Sequence, residues 1–261
     1  MGTTEIILAL VGGFFAGILN TLAGFGSIIT LAIYMDVLGL PGHIANMTNR
    51  VNVFFNSAVS AGTFSRYGKV DMGGGKWIIM LVVIGAMIGA FLATRLDEEG
   101  FKQVFKYLLL FVLAILLMNP KRFIEPDPDR AVVSPWITAP LYIAIGIYAG
   151  FIQAGFGVLF LMVAVMLSNY GLIKANGLKL FIVAIYTIGV LLYFQLNGTI
   201  LWKYGLLIAS GQAVGGYLTA RNMSRMEGAN KWAYRLLVLV VVLVTIKNFE
   251  VWTWFLSLIH I

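Results

Sequence analysis

The stretch IANMTNRVNVFFNSAVSAGTF, residues 44–64, is an apolar segment that carries polar side chains and one arginine. The polar residues fall at i, i+3, i+4, i+10, i+11 and i+14, which places them on one face of an α-helix. They are Asn46, Asn49, Arg50, Asn56, Ser57 and Ser60. We call this segment the first striped helix.

A second segment, ANGLKLFIVAIYTIGVLLYFQ at residues 175–195, repeats the pattern and is the second striped helix. Four of its polar residues lie 130 positions after polar residues of the first: Asn176, Lys179, Tyr186 and Thr187. A cation near the middle of a membrane helix costs about 2.5–3.5 kcal/mol on insertion scales. Arg50 and Lys179 are therefore expected to face the interior of a helix bundle and to meet an anion.

The composition of the whole chain indicates a membrane protein. Hydrophobic residues make up 60% and charged residues 11% of the sequence, and the mean hydropathy is +0.92. Several apolar runs reach the roughly 20 residues that a membrane-spanning helix needs. The net charge of +7 does not indicate a nucleic-acid partner, because the lysines and arginines lie between apolar runs, as in cytoplasmic loops beside anionic lipid. We predict an all-α polytopic protein in contact with the lipid bilayer.

The chain divides into two similar halves, residues 1–119 and 136–261, joined by a charged, proline-containing linker at 120–135. In the first half, Gly13-Phe-Phe-Ala-Gly17 precedes Asn20 and Ala23-Gly-Phe-Gly26, and in the second half a similar series recurs in the same order. The second series is Gly146-Ile-Tyr-Ala-Gly150, Gln153 and Ala154-Gly-Phe-Gly157. Such ordered matches are typical of an internal duplication.

Each half has an opening apolar stretch, a striped helix, a helix with a glycine pair and a last apolar helix. The glycine-paired helices lie at about 77–95 and 200–220 and carry Gly85 with Gly89 and Gly211 with Gly215, which are expected to be packing surfaces for close approach of helices. The last helices lie near 103–118 and 232–247. The opening stretches, about 5–38 and 137–170, would each be about 50 Å long as one helix, which exceeds a hydrocarbon core of about 30 Å. We predict that each breaks at its Gly-Phe-Gly and forms a helical hairpin or re-entrant pair.

The distribution of basic residues gives an orientation. If each opening stretch returns to the side on which it started, ten loop lysines and arginines share one side and five share the other. The positive-inside rule then predicts two inverted repeats, a cytoplasmic linker and both termini outside.

These features resemble the TauE/SafE family of membrane permeases. The resemblance rests on Asn20 with Ala23-Gly-Phe-Gly26, on Ala45-Asn46 with Thr48-Asn49-Arg50, and on their repetition as Ala154-Gly-Phe-Gly157 and Ala175-Asn176. It implies a permease in the cytoplasmic (inner) membrane that moves sulfite, sulfoacetate or related organosulfonates, often outward. The second striped helix departs from the family pattern at Asn176-Gly-Leu-Lys179, which affects the expected substrate preference.

We predict that a small anionic substrate binds near the bilayer centre between the two striped helices. Arg50 and Lys179 would supply charge, side-chain amides and a phenol would donate hydrogen bonds, and the broken helices would offer backbone amides. The full set is Asn20, Gly24, Phe25, Gly26, Asn46, Asn49, Arg50, Asn56, Gln153, Gly155, Gly157, Asn176, Lys179 and Tyr186. Other interpretations stay open: asparagines that only join helices, cations that reach toward an interface, and breaks that are only kinks.

No motif in the sequence predicts catalysis. The chain has no Gly-x-Ser-x-Gly elbow, no His-Glu-x-x-His pair and no phosphate-binding loop, and it has no cysteine. We therefore expect no enzyme activity, no metal and no cofactor. An intramembrane enzyme and a membrane scaffold are the alternative functions, and the sequence leaves open whether the protein forms a homodimer.

Overall fold

The computed structural model of the chain describes residues 2–70, 72–94, 133–151 and 153–226, together with positions 114, 117, 231, 232, 234, 235, 238, 239, 242 and 246. Over these residues the secondary structure is entirely helical. The first half contains α1 (Thr3–Ala23), α2 (Gly26–Ala32, continued by a π-helical turn at Ile33–Val37), α3 (Gly42–Arg66) and α4 (Met72–Ala93). The second half contains α5 (Pro135–Phe151), α6 (Phe156–Met166), α7 (Leu172–Asn197) and α8 (Trp202–Arg225).

Three of the described helices are long and apolar enough to cross a membrane: Thr3–Ala23, Gly75–Ala93 and Leu172–Asn197. The striped helix α3 has 25 residues and α8 has 24, so both have the length of a membrane span with a more polar composition. The all-α polytopic fold predicted from the composition is confirmed. The predicted linker up to residue 132 and most of the last helices near 103–118 and 232–247 lie outside the described residues.

The first opening stretch breaks where its glycines predict. Helix α1 ends at Ala23, Gly24 adopts a left-handed conformation with φ of 79°, and α2 begins at Gly26. The α2 helix then packs back along α1, because the start of α2 at Gly26 lies beside Asn20 while the later residues Ile29 and Ile33 lie beside Gly12. The stretch is therefore an antiparallel hairpin.

The second opening stretch forms the same structure. Helix α5 ends at Phe151, and α6 begins at Phe156 after Gly155, whose φ is 80°. The two helices run antiparallel, since the Tyr142 hydroxyl lies 2.8 Å from Ser168 Oγ and Val133 N donates to Leu167 O at 3.0 Å. Both hairpins return the chain toward the end at which it entered, which is the condition for inverted halves. Their orientation in a membrane stays a prediction.

Each half packs its glycine-paired helix against the hairpin of the other half. A Cβ atom on Gly85 of α4 would lie 2.9 Å from Ile147 N of α5, and one on Gly211 of α8 would lie 3.0 Å from Phe14 N of α1. Ile147 and Phe14 occupy equivalent places in the two hairpins, so the two interfaces are copies of one another. Glycine permits this approach because any side chain would meet the facing backbone. The predicted packing role of the glycine pairs is confirmed.

The two breaks meet each other in the interior of the described structure. Gly155 N donates to Gly24 O at 3.2 Å, and a Cβ atom on Gly24 would lie 2.5 Å from the Cα atom of Gly157. Helices α3 and α7 pack against each other beside this junction, as predicted for the two striped helices.

Candidate functional site

Arg50 of α3 is fully buried and binds the carboxyl-terminal end of α5. Its Nη1 atom donates to Ala149 O at 2.8 Å, and its Nη2 atom donates to Gly150 O at 2.9 Å and to Phe151 O at 3.3 Å. The last carbonyls of a helix have no partner within the helix and carry the negative end of its dipole. A guanidinium at this position supplies both the missing donors and the opposite charge.

Neighbouring polar side chains extend this contact. Arg50 Nη1 also donates to Gln153 Oε1 at 2.8 Å, and Gln153 Nε2 donates to the Tyr186 hydroxyl of α7 at 3.1 Å. Asn46 Nδ2 donates to Phe151 O at 3.3 Å. We call Asn46, Arg50, Gln153 and Tyr186 the arginine cluster. Both striped helices thus hold the break of the second hairpin.

Lys179 of α7 makes the corresponding contact with the first hairpin. It is 1% exposed, and its Nζ atom donates to Thr21 O at 3.0 Å, to Asn20 O at 3.2 Å and to Asn176 Oδ1 at 2.8 Å. An ammonium has three hydrogens, so these acceptors match its full donor capacity. We call Asn176, Lys179 and the end of α1 the lysine cluster.

The two clusters are reciprocal. A cation from the first half holds the broken helix of the second half, and a cation from the second half holds the broken helix of the first. Arg50 and Lys179 therefore meet carbonyl oxygens in this conformation, and the anion expected from the sequence would add to these partners or compete with them.

The remaining predicted residues lie at the junction or on another side of α3. The junction itself consists of Gly24, Gly155 and Gly157. Phe25 is 1% exposed, and Gly26 lies against Asn20 of α1. Asn49 accepts a hydrogen bond from Thr30 Oγ1 at 2.5 Å. Asn56 faces α8, where a Cβ atom on Gly216 would lie 3.1 Å from Asn56 Cγ. The structure thus gathers the predicted set into two clusters, a junction and a separate amide-bearing side of α3.

Four buried polar residues near Asn49 were missed from the sequence: Thr30, Tyr34, Asn52 and Gln212. Asn52 lies outside the stripe that begins at Asn46. A second series at i, i+3, i+7 and i+11 could have found it, because Asn49, Asn52, Asn56 and Ser60 share that spacing and all are buried.

Most of the buried polar atoms that lack a partner can donate a hydrogen bond. Among the described residues, unpaired nitrogen donors occur on Asn49, Arg50 (Nε), Asn56, Asn176 and Gln212, and unpaired hydroxyls on Ser27, Ser57 and Thr187. The unpaired acceptors are the side-chain oxygens of Asn46 and Asn56. No acidic residue is buried in the described part of the chain, and no group of three or more potential metal ligands occurs there.

A bundle of apolar helices with two broken hairpins that meet at buried polar groups is the architecture of a multi-pass membrane protein, and helices broken in this way occur at the substrate sites of secondary transporters. Residues 9–248 match the family described as Sulfite exporter TauE/SafE. The chain belongs to this family.

Curated relatives agree with that assignment. The chain is 29% identical to the probable membrane transporter protein ORF9 of Sinorhizobium sp over 91% of this chain and 89% of that protein. It is 26% identical to a probable membrane transporter protein of Haemophilus influenzae, over 80% of this chain and 81% of the relative. It is also 26% identical to the probable membrane transporter protein YfcA of Escherichia coli K12, over 79% of this chain and 76% of the relative. No solved structure matches the chain significantly.

Proposed function

We propose that this protein transports small oxyanions, with sulfite, sulfoacetate and related organosulfonates as the first candidates, outward across the cytoplasmic membrane. The observation that carries the proposal is that the buried polar groups are positively charged or donate hydrogen bonds. Two cations and an excess of unpaired donors lie in the described interior, where no buried acidic residue accompanies them. Such a set favours an anion, because each oxyanion oxygen accepts several hydrogen bonds. The name of the family supports the choice of sulfite.

The proposed site lies between α3 and α7, at the junction of the two breaks. The arginine cluster and the lysine cluster flank it, and the unpaired nitrogen of Asn176 is a further donor in the same region. Asn49 and Asn56, whose side-chain nitrogens are also unpaired, lie on the other side of α3. The backbone at Gly24, Phe25 and Gly26 and at Gly155 and Gly157 would offer amides close to the anion.

The hydrogen bonds of the two cations suggest how binding moves the protein. Lys179 already has three acceptors, whereas Arg50 keeps one unpaired donor at Nε. An anion that binds these cations competes with the carbonyls at the ends of α1 and α5. Anion binding thereby weakens the contacts that hold each hairpin to the opposite half, which links substrate binding to movement of the halves.

The topology of the proposed transporter follows the loop charges. Two inverted halves at residues 1–119 and 136–261 flank a cytoplasmic linker at 120–135, and both termini lie outside. In this topology the anion would bind near the bilayer centre, where the two halves meet.

A thermal-shift panel tests the function. Sulfite, sulfate, thiosulfate, sulfoacetate, taurine and short carboxylates are added to the purified protein at matched ionic strength, and its melting temperature is measured. We expect sulfite or an organosulfonate to raise the melting temperature in a saturable manner, because a ligand that binds only the folded state stabilises it. The same shift of the melting temperature with every salt, or no shift with any of them, would contradict the proposal.

A further inference from the structure

Five neutral side chains form a buried hydrogen-bonded group between α2, α3 and α8. Thr30 Oγ1 donates to Asn49 Oδ1 at 2.5 Å, and the Tyr34 hydroxyl donates to Asn52 Oδ1 at 2.8 Å. Asn52 Nδ2 donates to Asn49 Oδ1 at 3.1 Å and to Gln212 Oε1 at 2.5 Å. We call these five residues the amide network; each is 0% exposed.

Four of the five equivalent positions in the other half are apolar, and the fifth, the equivalent of Asn49, is Lys179 of the lysine cluster. The repeat spacing is 131 residues for the helices after the breaks, 130 for the striped helices and 126 for the glycine-paired helices. By these spacings Thr30, Tyr34, Asn52 and Gln212 correspond to Leu161, Val165, Ile182 and Ala86, all of them buried. The duplicated fold therefore packs well with apolar residues at each of these positions, and helix packing alone does not require the polar ones.

The atoms left over in the amide network determine what it can bind. Each side-chain carbonyl oxygen accepts at least one hydrogen bond, whereas Asn49 Nδ2 and Gln212 Nε2 have no partner among the described residues. A network that only joined helices would use these donors, because a buried N–H without an acceptor is unfavourable. The network thus presents hydrogen-bond donors and suits a ligand with acceptor oxygens.

We propose that the amide network is an accessory oxyanion subsite, in which Asn49 Nδ2 and Gln212 Nε2 donate to oxygens of the anion. The proposal rests on the proposed function and adds a second binding position for the anion beside the central site. Neutral amides bind an oxyanion more weakly than a buried cation does, and transport needs such weaker sites so that the ion can leave. Because four of the five corresponding positions of the other half are apolar, the subsite makes the path of the anion asymmetric.

Replacement of Gln212 tests the subsite. Gln212→Met keeps the length of the side chain and removes its donors, and Gln212→Ala introduces the residue that the fold already holds at the equivalent position, Ala86. Gln195→Met is the matched control, because Gln195 is an exposed glutamine at the end of α7. Sulfite titrations of each purified protein give the half-saturating concentration from the melting temperature, and sulfite flux is measured in proteoliposomes.

We expect both Gln212 variants to raise the half-saturating concentration of sulfite about tenfold and to slow its flux, as the loss of one hydrogen bond to an anion implies. The Gln195→Met protein should match the parent. The opposite result is that the Gln212 variants melt earlier in the absence of sulfite and keep the parent's half-saturating concentration. That result would contradict the subsite and show that Gln212 only joins α8 to α3. If the parent itself responds to no oxyanion, the proposed function fails, and the subsite fails with it.

Discussion

Replacement of Arg50 with alanine is expected to abolish sulfite binding and transport. The guanidinium makes four hydrogen bonds to backbone carbonyls and to Gln153 from a fully buried position. Its removal takes away the positive charge proposed for the site and leaves the carbonyls of Ala149 and Gly150 without their Arg50 donors, at a cost of about 1–3 kcal/mol for each unpaired buried group. The sulfite-induced rise in melting temperature should disappear, and the protein without sulfite should melt earlier than the parent.

Arg50→Lys separates binding from folding. Lys179 already holds the end of α1 through a single ammonium, so a lysine at position 50 can hold the end of α5 in the same manner. It lacks the planar fork that binds two oxygens of one anion. The variant should therefore melt near the parent temperature and lose at least about tenfold in affinity for sulfite, with a smaller loss for a halide.

Arg66→Ala provides the control for both variants, because Arg66 is exposed at the end of the same helix. It should bind sulfite as the parent does. Lys179→Ala should weaken binding less completely than Arg50→Ala. If Arg50→Ala bound and transported sulfite like the parent, Arg50 would be a residue that only joins helices.

Gly24→Ala is expected to prevent formation of the central junction. Gly24 has a φ of 79°, and a Cβ atom there would lie 2.5 Å from Gly157 Cα. The left-handed conformation costs a non-glycine residue about 1–2 kcal/mol, and the overlap adds about 1–3 kcal/mol, because the facing atoms are backbone. The variant should yield little folded protein and should show a much lower melting temperature.

Gly39→Ala isolates the contribution of the overlap. Gly39 has a φ of 65°, and a Cβ atom there would meet nothing within 4 Å. This variant therefore carries the conformational cost alone and should melt only slightly below the parent. Equal melting temperatures for Gly24→Ala and Gly39→Ala would contradict the close backbone contact between the two breaks.

Much of the fold could be predicted from the sequence, because its signals are local. Apolar runs predicted the helices, and an opening stretch too long for the bilayer required a break, which Gly24–Gly26 and Gly155–Gly157 placed within a residue or two. The glycine pairs predicted close packing. The structure adds the partner of each pair, which is the hairpin of the opposite half.

The partners of the cations could not be predicted. Arg50 binds carbonyls about a hundred residues away, and Lys179 binds Thr21 O across 158 positions. Every residue has a backbone carbonyl, so no side chain marks these acceptors in the sequence. The stripe at Asn46 indicated where the charge lies, whereas the packing of the two hairpins determined what the charge contacts.

Sulfite flux into proteoliposomes that contain the purified protein tests the central claim most directly. The parent and Arg66→Ala are compared with Arg50→Lys at equal protein content, with protein-free liposomes as background. We predict saturable flux for the parent and for Arg66→Ala, and a loss of at least about tenfold at low sulfite concentration for Arg50→Lys. Flux by the parent no greater than that of protein-free liposomes, or equal flux by the parent and Arg50→Lys, would contradict an oxyanion path between α3 and α7.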